Sequence, residues 1–299
     1  MKSKELILGT ALWGWKIPEV ECFTLLDEFY KSGCRDIDTA TNYPINGVSN
    51  LFRFAENTIF KWINSNGVND LKIFVKIGSL NNSGRDENLL TYTSLLLSHE
   101  YYNTKFGKNL DGVMIHWDNR ENPKEIANTI EALKLISASH RIGISGIKNP
   151  KLYIPLTKNG LIISIQCKHN FLTSQLNLYS DFYSHRISIY GINGGGINLK
   201  REYKKNSSVI LREINVNNFT PKIELINQLL IKYKKNGGDT SLYNIALTFA
   251  FINEHVDGLV IAPSNLSQLK ATIFSFNELV QGINLPYYKK IIGIINSYE

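Results

Sequence analysis

Four side chains in this sequence have the types and spacing to move a proton on and off an oxygen. Asp38 and Tyr43 share one stretch, Asp36-Ile37-Asp38-Thr39-Ala40-Thr41-Asn42-Tyr43-Pro44, where a short apolar strand runs into two acids and a phenol comes next. Lys76 ends the apolar run Lys72-Ile73-Phe74-Val75-Lys76-Ile77, and His116 ends Asp111-Gly112-Val113-Met114-Ile115-His116-Trp117. A phenol ordinarily titrates near pH 10, too high to trade protons easily near neutrality. A neighbouring ammonium stabilises the phenolate and lowers that value. A carboxylate beside the lysine keeps it charged and in place. A histidine can then orient a carbonyl oxygen toward the phenol. The set contains no strong nucleophile and no metal-ligand pattern. It suits carbonyl reduction, with the hydride coming from a bound cofactor.

Such a set needs a scaffold that brings several strand ends together. The chain alternates short apolar runs with helical patterns. Strands are predicted at 6–10, 34–38, 72–77, 112–116, 142–145, 162–166, 187–190 and 258–261. Helices are predicted from Pro18 to Gly33, over about 48–63 and 123–136, after Thr220-Pro221, and over 241–253. Asn122-Pro123 is an N-cap followed by proline at the first helical position. Asn149-Pro150 repeats that start, although Pro155 cuts the next element short. Asn265 with Gln268 resembles a capping box. Eight strands, nearly all followed by a helix, predict one (β/α)8 TIM barrel spanning residues 1–299, with 285–298 as an added C-terminal helix on the outside or the bottom. A doubly wound open sheet is the alternative, but no Gly-x-Gly-x-x-Gly fingerprint comes after the first strand. In such a barrel, functional residues gather at the C-terminal ends of the strands. Asp38, Lys76, His116, Ser145, Gln166 and Tyr190 all fall at or near predicted strand ends, and strands two to four are neighbours. Asp36 reads as a turn or cap residue.

The 299 residues are 43% apolar and 20% charged, which supports a large buried core. Net charge is +7, but Lys and Arg are scattered in short pairs with no basic tract interleaved with aromatics. That argues against nucleic acid and for a small anionic ligand. Three cysteines without metal-ligand spacing fit a reducing, cytoplasmic setting. The apolar run after the basic start breaks at Gly9-Thr10, too early for a signal peptide, and no stretch is long enough to span a membrane. The oligomeric state is not readable from the sequence.

Taken in order, Gly9-Thr10, Asp38-Thr39-Ala40 with Tyr43, Lys76, Met114-Ile115-His116-Trp117, Arg141-Ile142-Gly143-Ile144-Ser145, Gln166 and Tyr190-Gly191 resemble the motifs of the aldo-keto reductases. The resemblance covers most of the chain. It implies reduction of an aldehyde or ketone by NADPH, with NADH as a possible substitute. The tetrad would be Asp38, Tyr43, Lys76 and His116, with Tyr43 as proton donor. It implies cofactor contacts from Gly9, Thr10, Ser145, Gln166, Tyr190, Gly191, the Gly194 to Gly196 loop, Ser264 and Gln268. Trp13, Trp15 and Trp117, just past strands one and four, are expected as pocket walls. An aromatic-walled mouth on a basic protein suits a phosphorylated or nucleotide-linked keto-sugar.

The sequence also departs from that pattern. Gly146 stands where the family usually has Asn. Ala262 and Gln268 replace the basic residues that hold a 2′-phosphate, and Thr272 replaces an adenine-binding Asn. Lys270, Lys200 and Arg201 are the substitutes within reach in sequence. The N-terminal hairpin that closes the barrel floor in many members is expected to be mostly missing. Two other functions compete: a non-catalytic or regulatory nicotinamide-binding barrel, and a Schiff-base aldolase or isomerase using Lys76, whose paired carboxylate would make it a poor nucleophile.

Overall fold

The computed structural model describes residues 3–297 except 85–86, 201, 206, 212 and 234–240. Eight parallel strands close into a barrel in chain order: β1 (Glu5–Gly9), β2 (Asp36–Ala40), β3 (Lys72–Ile77), β4 (Leu110–His116), β5 (Arg141–Ser145), β6 (Ser164–Lys168), β7 (Arg186–Tyr190) and β8 (Gly258–Ile261). Their runs are rich in Ile, Val and Leu because strands of an all-parallel sheet are buried on both faces. The first four strands lead to α1 (Glu19–Lys31), α2 (Phe54–Asn66), α3 (Tyr92–Phe106) and α4 (Pro123–Ile136). Asn122 caps α4 by accepting from the Lys124 amide. Beyond β7 come α5 (Ser208–Leu211), α6 (Thr220–Lys232) and α7 (Leu242–Phe251), and beyond β8 come α8 (Leu266–Val280) and α9 (Leu285–Asn296). Leu285, Tyr288, Ile291, Ile292 and Ile295 form the buried face of α9, which lies outside the barrel against α6 and α7.

Four elements differ from expectation. The helix predicted from 48 begins only at Phe54, because Arg53 adopts a left-handed φ of 68° and breaks the run. The segment after β5 is a 3-10 coil, Pro150–Gly160, with Pro155 inside it. Proline removes a backbone donor and clashes with the preceding turn. β2 and β6 each start and end two residues later than predicted, so Asp38 and Gln166 are their middle residues. The ladder runs on because Thr39 and Ala40 pair with Val75 and Lys76, and the Thr41 amide donates to the Lys76 carbonyl at 3.0 Å.

That register decides what can meet inside the barrel. Ala40 sits opposite Lys76 and Asp38 opposite Phe74, so Asp38 lies one side-chain layer below Lys76. His116, Ser145 and Gln166 share one row across β4, β5 and β6. At the opposite end, a cavity of about 40 Å³ is bounded by Ile7, Phe74 and Met114 and by a charged ring. Within that ring Arg186 pairs with Glu5 at 2.5 Å and Arg141 with Asp111 at 2.6 Å.

Asp36 is the first residue of β2 and lines this floor, not a turn. Burial, with Glu5 next in effect, pushes its carboxyl up to about 6, although Lys72 and Arg141 oppose the shift. The folded value lies above the unfolded one, so the ionised group costs stability. The cost is full above about pH 6 and vanishes below about pH 4. Asp36→Asn should therefore stabilise the protein at pH 7.5 by about 1–2 kcal/mol, with the gain fading toward pH 4. Urea midpoints at the two pH values check this, and equal midpoints at pH 7.5 would contradict it.

Candidate functional site

The mouth of the barrel is built on one buried ion pair. Lys76 Nζ lies 2.5 Å from both oxygens of Asp38, and the two side chains are 1% and 5% exposed. The layer difference between them is what the four-carbon stem of lysine spans. Gln166 reaches across from β6 and donates its Nε2 hydrogen to Asp38 Oδ1 at 2.7 Å. Because a carboxylate only accepts, this contact fixes the amide's orientation. Ser145 Oγ then donates to Gln166 Oε1 at 3.3 Å. Sequence reasoning missed the link between Gln166 and Asp38, which join from opposite sides of the barrel. Full burial draws Lys76 below the ordinary lysine value, and Asp38 and then Tyr190 oppose that shift.

Tyr43 and His116 complete the cluster. Lys76 Nζ is 4.9 Å from the Tyr43 ring centroid. The Tyr43 and His116 rings meet edge to face, with centroids 6.0 Å apart and planes at 84°. His116 is buried, and burial followed by the charge of Lys76 holds it well below the usual histidine value, so its ring is neutral. Its Nδ1 has no hydrogen-bond partner among the described residues. The cluster thus joins an ammonium, a phenol and a neutral imidazole around one buried carboxylate.

The remaining predicted residues divide. Trp117 and Trp15 are half-buried, and the Trp117 ring lies 4.4 Å from that of His116. Trp13 is 1% exposed and lies in the hydrophobic core cluster, as Tyr43 does. Thr10 is committed to β2, its amide donating to the Asp38 carbonyl at 3.1 Å and its hydroxyl lying 3.0 Å from the same oxygen. Gly9 is buried where β1 meets β8, and an added Cβ would meet Val260 Cγ1 at 2.8 Å. Tyr190 is half-buried at the end of β7, close enough to act on the charge of Lys76. Gly191, Gly194, Gly195 and Gly196 all have positive φ. At Gly195, φ is 83°, a left-handed conformation that a side chain would strain, and a Cβ would meet Ile214 Cδ1 at 2.2 Å. Asn265 caps α8 by accepting from the Gln268 amide at 2.9 Å, and Gln268 Oε1 accepts from the Ser264 amide at 2.8 Å.

A sequence model described as the aldo/keto reductase family matches residues 5–282. The chain belongs to that family. Among solved structures it is similar to an aldo-keto reductase, AKR11C1, of Bacillus halodurans in its holo form. That likeness has a TM-score of 0.70 at 16% identity and covers 97% of this chain and 91% of the other. No curated protein matches the chain by sequence.

Within this aldo/keto reductase, the departures from the family pattern have structural counterparts. Gly146 has φ of 65°, and a Cβ there would meet Trp117 Cδ1 at 2.6 Å. The indole of Trp117 occupies the space that a larger residue would need. Trp117 itself has φ of 59°, with its amide donating to the Ser145 carbonyl at 3.0 Å and its carbonyl accepting from Asn88 at 2.7 Å. Thr272 is buried and donates to Tyr243 at 2.9 Å, so its hydroxyl is already engaged. Gln268 Oε1 is taken by the Ser264 amide, and Lys270 pairs with Glu28 of α1 at 3.6 Å. Lys200 is exposed, and Arg201 lies outside the described residues.

The ion pair generates a stability prediction. Removing one partner of a buried pair leaves an uncompensated charge, at a cost of about 3–5 kcal/mol. Lys76→Met should show this loss in urea unfolding. Adding Asp38→Asn should recover about half or more of it, since the stranded charge is then gone. Additive losses in the double variant would mean that the two side chains are energetically independent.

Proposed function

We propose that this protein reduces an aldehyde or ketone to an alcohol with a nicotinamide dinucleotide, Tyr43 giving the proton to the nascent alkoxide. The observation that carries this reading is the Lys76 ammonium, held by both oxygens of Asp38 and 4.9 Å from the Tyr43 ring centroid. A positive charge at that distance favours the phenolate that proton donation leaves behind. The neutral His116 beside Tyr43 supplies a hydrogen-bonding edge that orients the substrate oxygen. Asp38, buried and gripped by Gln166 as well, holds the lysine in one position. Because Lys76 Nζ is engaged by two carboxylate oxygens, it is a poor nucleophile, which disfavours Schiff-base chemistry.

The residues at the mouth fit the cofactor's reactive end. Ser145 and Gln166 carry a hydroxyl and an amide of the kind a carboxamide pairs with, in exchange for the bond they make to each other, and Tyr190 offers a half-exposed ring to a flat heterocycle. When bound, the cofactor supplies the hydride. Trp15 and Trp117 give the entrance an aromatic wall, which together with the net positive charge suits a sugar or nucleotide-sugar carbonyl.

Tyr43→Phe should lower kcat at least a hundredfold while the cofactor dissociation constant stays within about twofold, since only the proton donor is lost. Steady-state assays with simple aldehydes and keto-sugars, paired with fluorescence titration, test it. Turnover within tenfold of the unsubstituted protein, about 1.4 kcal/mol in barrier, would exclude the role given to Tyr43.

The phosphate end leads to a second expectation. Charge-assisted bonds to arginine normally favour a 2′-phosphate. Here Ala262 has no side-chain donor, and Gln268 brings a neutral amide where an arginine would bring a charge. Each charged hydrogen bond contributes about 1.5–3 kcal/mol, so losing two removes most discrimination. The protein should bind NADPH only modestly better than NADH when both are titrated by fluorescence quenching. A preference above about a thousandfold, roughly 4 kcal/mol, would mean that other groups hold the phosphate. Binding of neither would favour a barrel without turnover.

A further inference from the structure

A second buried polar cluster lies behind the site, between α2 and α3, and the chemistry above does not use it. Glu56, in the first turn of α2, is fully buried. Lys105 Nζ donates to its Oε1 at 2.8 Å, and the Tyr102 hydroxyl donates to its Oε2. Burial and Glu56 together hold the Tyr102 phenol well above its ordinary value, so it stays protonated and its hydrogen is committed to the carboxylate. Tyr102 oxygen lies 2.8 Å from Thr41 Oγ1. Thr41 Oγ1 is in turn 3.2 Å from the Lys76 carbonyl oxygen, to which the Thr41 amide also donates at 3.0 Å.

The cluster therefore grips the segment carrying Tyr43 from both sides. On one side it reaches Thr41, two residues before Tyr43, and through Thr41 the backbone of Lys76. On the other, the Ala55 amide, one residue before Glu56 in α2, donates to the Tyr43 carbonyl at 3.3 Å. A buried ionic cluster is seldom worth more to stability than apolar packing of the same volume. What it supplies is a fixed geometry, because every member has a required partner.

We propose that Glu56, Tyr102 and Thr41 form a positioning network that sets the place of the Tyr43 phenol relative to the Lys76 ammonium. The proposal rests on the reductase reading for its effect on turnover, but not for its effect on Tyr43 itself. None of the three touches the reacting atoms. They act through the backbone at both ends of the pair.

Tyr102→Phe is the direct test, because it keeps the ring that stacks on Phe106 and removes only the hydroxyl. Thr41→Val removes the same link from the other side should the first variant fold poorly, and Thr41→Ser restores it. Two quantities are read. The first is kcat against KM with NADPH and an aldehyde. The second is the titration of Tyr43, tracked by NMR of protein labelled with 13Cζ-tyrosine and assigned with Tyr43→Phe, which needs no turnover. Tyr102→Phe and Thr41→Val should each lower kcat about tenfold with KM for NADPH nearly unchanged. Both should move the Tyr43 titration by about half a pH unit, while Thr41→Ser behaves as the unsubstituted protein. An unmoved Tyr43 titration would overturn the proposal, whatever happens to melting temperature or rate. A shifted titration in a protein that reduces no carbonyl would keep the network and discard the reductase reading.

Discussion

The Lys76–Asp38 contact is the interaction that organises the whole mouth of the barrel. Two full charges removed from water are tolerable only when each has a close partner and the remaining lone pairs are met. Asp38 meets that condition with both oxygens on Lys76 and one also on Gln166. The barrel makes the arrangement possible. Its closed, parallel ladder places β2, β3 and β6 around one axis and fixes the layer offset that a lysine stem fills. An open sheet would not bring β6 back to β2.

Around that pair the protein arranges groups whose charge states are set by burial. His116 is kept neutral by the absence of water and by the nearby ammonium. Tyr102 is kept protonated by burial and by Glu56. The same physical effect thus secures one donor at the mouth and another behind it. Trp117 and Gly146 illustrate a different constraint, in which volume decides. The indole lies where a side chain at position 146 would have to go, so the Trp117 ring and the glycine imply each other.

The two ends of the proposed cofactor site are unequally built. Ser145, Gln166 and Tyr190 stand on three neighbouring strands and are held by the sheet. On the adenine side, Gln268 and Thr272 are engaged in contacts that stabilise α8, and Lys270 leans toward α1. Selectivity there would have to come from groups outside this pattern.

The barrel, its eight strands and the four residues proposed for chemistry were all legible in the order of the amino acids. Apolar runs separated by helical periodicity and capped starts such as Asn122-Pro123 are local signals, and they survive without tertiary context. The family motifs lie on those same runs. Other features were not legible there: where β2 and β6 end, how deeply Trp13 is buried, that Asp36 lines the floor with a raised carboxyl, and that Arg53 delays α2. Nor could the chain order pair Gln166 with Asp38, or Glu56 with Tyr102 and Thr41. Each of these rests on strand register, on a local backbone turn or on contacts between residues dozens of positions apart. Pairing across a closed barrel depends on which layer each side chain occupies, and a one-residue slip would turn it to the other face. Only the assembled ladder decides that.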